Sequence, residues 1–157
     1  MCPVEAVAME PGGAVFQAIT GEAGAAFDAL RRRNPDGAAA LSRLGAQVDD
    51  ILLLHWQRAG QVQDDTTASL TTGVQAAQFA LAGPTFAAAQ ARWDSHMSVR
   101  MVEAVRANPG KRVMVIGSYK NRAMLQQAAQ AVAPQRVINA SQWFEKTNSA
   151  ITVIERK

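Results

Sequence analysis

Residues 117–122 read Gly-Ser-Tyr-Lys-Asn-Arg: two hydroxyls, an ammonium, an amide and a guanidinium crowded behind one glycine. Cations and hydroxyl donors at that density suit the recognition of an anion. The run before them, Val113-Met114-Val115-Ile116, is apolar and β-prone, and the residues after them favour a helix. In a strand–glycine–helix arrangement such a turn lies at the carboxyl end of the strand, where open α/β sheets bind ligands. Free N–H groups at the helix start add a preference for negative charge. Gly117, Ser118, Tyr119, Lys120 and Arg122 are therefore candidate ligand-binding residues for a small anion. The nucleotide-hydrolase spacing G-x-x-x-x-G-K-[ST] is absent.

A second group stands in the stretch ARWDSHMSVRM, where His96 and Arg100 are four residues apart and share a helix face. Together they suit a carboxylate or a phosphate. No second His or carboxylate follows His96 at the third or fourth position, so no metal pair forms there. His55 ends an apolar stripe and reads as a core histidine with one hydrogen bond. The neighbours Asp49-Asp50 and Asp64-Asp65 point to different faces of a helix and read as solvent-exposed rather than as acid/base dyads. No G-x-S-x-G elbow is present. The single cysteine, Cys2, can form neither an internal disulfide nor a cysteine zinc site. These residue types assign no catalytic group, no metal and no cofactor.

The elements that must position these groups follow from periodicity and punctuation. Residues 1–13 read as a flexible arm ended by Pro11-Gly12-Gly13, and residues 14–157 as one domain. Helical spacing runs from Ala14 to Arg33, with Gly21 and Gly24 suggesting a break into two shorter helices. After Asn34-Pro35-Asp36-Gly37, where Asp36 is a candidate cap, Leu41, Leu44, Val48 and Leu52 mark a second helix ending near Gly60. A polar segment, Gln61 to Thr67, precedes a third helix around Ala68 to Leu81. A long helix from Phe86 to Val105 stops at Asn108-Pro109-Gly110. Beyond it, Arg112–Ile116, Arg136–Ile138 and Ile151–Ile154 read as short strands around a helix from Asn121 to Val132. The expected fold is α/β: a helix-rich part over 14–108 and a small β-α-β sheet over 111–157. So small a sheet needs cover, so a homodimer or a partner chain is expected to complete it.

The 157 residues suffice for one well-buried core, and 48% hydrophobic with 18% charged residues are globular values. A formal net charge of +3 is too small and too scattered to indicate nucleic acid. The run Arg31-Arg32-Arg33 reads as a solvated helix end. No apolar run approaches the ~20 residues of a membrane span. The first residues carry Glu5 and Glu10 and no basic stretch before an apolar core, which reads as no secretory signal and cytoplasmic residence.

The stretch WDSHMSVRMVEAVRANPGKRVMVIGSYKNRAML resembles the carboxyl-terminal part of the TraB/GumN-like superfamily, which includes the TIKI-type proteases and, more distantly, ChaN-type haem-binding and erythromycin-esterase-like proteins. There a long helix with an R-M element leads through a Pro-Gly or Gly-Lys turn into a strand ending in G-A-x-H. Arg100-Met101, Pro109-Gly110-Lys111-Arg112 and Gly117-Ser118-Tyr119-Lys120 stand at those places. Lys120 replaces the histidine, and a protonated lysine has no lone pair for metal or base chemistry. The superfamily's amino-terminal motif has no counterpart in residues 1–92. The resemblance thus implies a divergent, catalytically inactive relative that binds an anion through Ser118, Tyr119 and Lys120, approached by Arg100 and His96. The other readings are a metal-dependent hydrolase of the same superfamily and a homodimeric interaction protein without a ligand site.

Overall fold

The computed structural model describes residues 6–146 of the chain, so the expected strand at 151–154 lies outside them. The described residues form five α-helices: α1 (Gly13–Arg33), α2 (Pro35–His55), α3 (Asp65–Ala82), α4 (Pro84–Ala107) and α5 (Arg122–Val132). Two 3-10 turns, Ala59–Gln63 and Tyr119–Asn121, lie between them, and residues 140–146 are helical as well.

Local chemistry explains where the helices start and stop. Asn34 alone separates α1 from α2; its side chain accepts the Gly37 N–H at 2.9 Å, and Pro35 opens the helix. The cap is thus Asn34 rather than Asp36. Gly83 alone separates α3 from α4, at φ +90° and ψ −173°, a backbone region essentially reserved for glycine. Its own N–H closes α3 on the Phe79 carbonyl, and Pro84 begins α4. Gly21 and Gly24 do not split α1, which runs unbroken because Ile19, Ala26 and Leu30 bury one face of it.

The main core gathers Ala26, Leu30, Leu41, Ala82 and Phe86, with the Phe27 and Phe86 rings edge to face at 4.7 Å. A second cluster joins Met97 and Met101 of α4 to Leu125 of α5, with Met9 and Trp93 packed against it. The arm is therefore laid on the molecule where it is described: Pro11 is buried and Met9 contributes to that cluster. Arg33, last of the three arginines, donates to the Leu81 carbonyl at 2.6 Å, while Arg31 pairs with Asp28.

The expected α/β fold is corrected: no strand and no sheet occur among the described residues. Residues 112–118 carry no regular structure, and none of them makes a backbone ladder with a described neighbour. A β-prone run becomes a strand only when a second strand satisfies its N–H and C=O groups. Of the run at 136–138, Arg136 closes a turn over 134–136, its N–H meeting the Ala133 carbonyl, while 137–138 carry no regular structure and Ile138 is exposed. Asn139 then accepts the Ser141 N–H and starts the helical segment 140–146, which sits over the buried Gly60. All the regular structure among the described residues is helical.

Candidate functional site

The turn at 117–122 is held from three sides. Gly117 abuts α5 so closely that a β-carbon there would lie 2.8 Å from Leu125 Cδ1. The Ser118 hydroxyl accepts the Lys120 N–H at 3.3 Å. The Tyr119 ring meets Trp56 edge to face at 5.0 Å, and Lys120 Nζ rests 5.6 Å from the centre of the Tyr119 ring. Asn121 Nδ2 donates to the buried thioether of Met97 at 3.3 Å, a sulfur that also receives Trp93 Nε1. The Arg122 guanidinium donates to the Asp64 carbonyl at 3.2 Å and to Asp65 Oδ1 at 3.3 Å.

These contacts seat the turn on the junction between α2 and α3. There, Asp64 Oδ1 caps α3 by accepting the Thr67 N–H at 2.8 Å, while Oδ2 lies 2.6 Å from His55 Nε2. Partial burial pushes the Asp64 carboxyl up, but the Thr67 N–H, the His55 hydrogen bond and the charge of that imidazole outweigh it. Together they hold the carboxyl below its ordinary value. The Thr67 hydroxyl is fully buried; it receives Trp56 Nε1 at 3.0 Å and donates to the Gln61 carbonyl at 2.7 Å. Its hydrogen is therefore committed, and the His55–Asp64 pair faces no free hydroxyl on Thr67 to activate.

The residues named from sequence do not converge. Tyr119 and Lys120 stack in series on Trp56, and Arg122 lies with Asp64 and Asp65. His96 instead lines a shallow groove of about 550 Å³ between α1 and α4, with Val15, Ile19 and Arg92; Arg92 is paired with Glu22. Arg100 lines a different groove of about 450 Å³ with Val7 and Lys111, pairs with Glu103 at 2.9 Å and donates to the Ala8 carbonyl. Helical spacing puts His96 and Arg100 on one flank, but α1 covers one and the arm covers the other. Elsewhere around α4, burial pushes the Asp94 carboxyl up against an opposing hydrogen bond from Gln90.

The same geometry lends the anion-binding expectation no support. No strand end presents the turn, the side chain of Arg122 is only 10% exposed, and its charge already faces carboxylate and carbonyl oxygens. The partners Trp56, Asp64, Asp65 and Thr67 escaped sequence reasoning. The readable signal was local: Asp64 three residues before Thr67, at the start of a helix, is an N-cap pattern. Asp64 is accordingly half-buried, not solvated, whereas the side chain of Asp65 is almost fully exposed.

No group of three His, Cys, Asp or Glu side chains among the described residues is placed to hold a metal ion, and no described helix is long and apolar enough to cross a membrane. Compared with family profiles, curated proteins and solved structures, the chain matches none. These comparisons lend the TraB/GumN-like resemblance no support, and the strand that it places before the glycine turn is absent among the described residues.

Proposed function

We propose that this protein is a helical interaction protein that acts as a homodimer, its two copies joined through the extended segment Val113–Ile116. One observation carries the reading. Exposure along the segment alternates, at 39% for Val113, 82% for Met114, 38% for Val115 and 74% for Ile116. That is the period of a β-strand, with Met114 and Ile116 directed most fully to solvent and the two valines about half as exposed. The backbone N–H groups of 113–117 donate to no described partner. An apolar extended run with no ladder partner among the described residues and no charge inside it is the kind of edge that proteins otherwise blunt with lysine, proline or a covering element.

Burying Met114 or Ile116 from this degree of exposure stabilises association by roughly 1–2 kcal/mol each, and a symmetric interface counts each residue twice. Light scattering on the purified full chain tests the reading. The wild-type chain is expected at twice the monomer mass. The double variant Met114→Asp, Ile116→Asp is expected at monomer mass with unchanged helical circular dichroism. A wild-type chain that stays monomeric up to high micromolar concentration overturns the reading.

A further inference from the structure

We infer that the face carrying Arg112, Met114 and Ile116 docks on an anionic lipid surface, its apolar side chains entering the interface and the cations around them held at the headgroups. The inference goes beyond the homodimer reading and does not rest on it. A lipid surface and a second copy are rival occupants of the same side chains.

Charge names the occupant. Between Glu103 and Glu145 the chain carries four arginines and two lysines and no acidic residue. Three of these cations flank the apolar run, Lys111 and Arg112 before it and Lys120 after it, and all three are exposed. None of the three pairs with a carboxylate among the described residues. Lys111 Nζ donates to the Asn108 amide oxygen at 3.1 Å, and Lys120 Nζ lies over the Tyr119 ring. Glu103, which lines the same groove as Lys111, is already matched by Arg100. A sheet of negative headgroups supplies counter-charge to both ends of the run at once.

The apolar side chains separate lipid from other anionic partners. Alternation along an extended backbone puts Arg112, Met114 and Ile116 on one face, and Met114 and Ile116 are 82% and 74% exposed. Nucleic acid offers phosphates and stacking bases, but residues 112–118 hold no aromatic ring to stack on them. A thioether and a branched alkyl chain suit instead the boundary between headgroups and acyl chains. The segment has no ladder among the described residues, and unsatisfied N–H groups are costly in hydrocarbon. Its backbone therefore stays at headgroup level, among water and phosphate oxygens, while the side chains alone go deeper. Two apolar side chains and three cations give reversible, salt-sensitive attachment rather than anchoring.

Co-sedimentation of the full chain with vesicles tests the inference. Phosphatidylcholine vesicles with about 30% phosphatidylserine are expected to bind the chain about tenfold more tightly than phosphatidylcholine alone. Raising salt from about 0.1 M to about 0.5 M is expected to remove most of that difference. Arg112→Gln and Lys120→Gln should each weaken binding about fivefold. The double variant Met114→Ser, Ile116→Ser should weaken it about tenfold, with helical circular dichroism unchanged. Equal binding to both vesicle types, binding to neither, or undiminished binding by the double serine variant overturns the inference. Retention of a single-stranded DNA oligonucleotide without vesicle binding overturns it in favour of nucleic acid. Light scattering decides the homodimer by a separate readout, so either reading can fail while the other stands.

Discussion

Asp64 Oδ1 holds the Thr67 amide while Oδ2 faces the His55 imidazole, so one carboxylate both caps α3 and ties it to the end of α2. Its folded-state ionisation lies below the unfolded value, which fixes the sign of its effect on stability. The contribution is fully present above the unfolded value of about 3.9 and is lost as pH falls through the lower folded one. Asp64→Ala is expected to lower stability by about 1–2 kcal/mol at pH 7, the size of a lost N-cap. In urea titrations the gap from wild type should narrow as pH drops below about 4. Asp64→Asn retains a capping oxygen and is expected to lose less. A gap that widens in acid would contradict this assignment. The guanidinium of Arg122 adds a further tether to the same place by way of Asp65 and the Asp64 carbonyl.

At the scale of elements, the links matter as much as the helices. Gly83 joins α3 to α4 in a conformation that other residues reach only with strain, so Gly83→Ala is expected to cost about 1–3 kcal/mol by urea denaturation. An unchanged midpoint would mean the link relaxes freely. The helices were readable because apolar residues recur every three or four positions and because Asn34-Pro35, Gly83-Pro84 and Asn108-Pro109-Gly110 punctuate them. The strands were not, because a β-prone run reports only its own preference, while a ladder depends on residues remote in sequence. Val113–Ile116 keeps the alternation and has no ladder partner among the described residues; at 136–138 a turn over 134–136 ends just before Asn139 starts a helix. The site divided in the same way. Tyr119, Lys120 and Arg122 stand together because they are sequence neighbours. Their contacts to Trp56, Asp64 and Asp65 span over fifty residues, as with Arg122 and Asp65 at a separation of 57, and no local pattern encodes them.

Across the whole molecule, α4 is the shared member of both cores, giving Phe86 to one and Met97 and Met101 to the other. At 24 residues it spans about 36 Å. A break in this helix damages both clusters, so the chain is expected to unfold in one transition. Leu30→Ala and Met97→Ala, at opposite ends of the packing, should each cost about 2–5 kcal/mol and shift that same transition. Two resolved transitions in either variant would show that the clusters melt independently. The methionines carry a different consequence. Met97 and Met101 are 1% exposed, whereas Met114 stands 82% exposed on the outer face of the extended segment. Peroxide reaches thioethers according to access and turns an apolar side chain into a polar sulfoxide. Met114 is therefore the first of these three to oxidise, and under the homodimer proposed above its sulfoxide makes the segment a poorer partner for a second copy. On that reading, oxidant exposure is a brake on assembly that leaves the helical cores untouched.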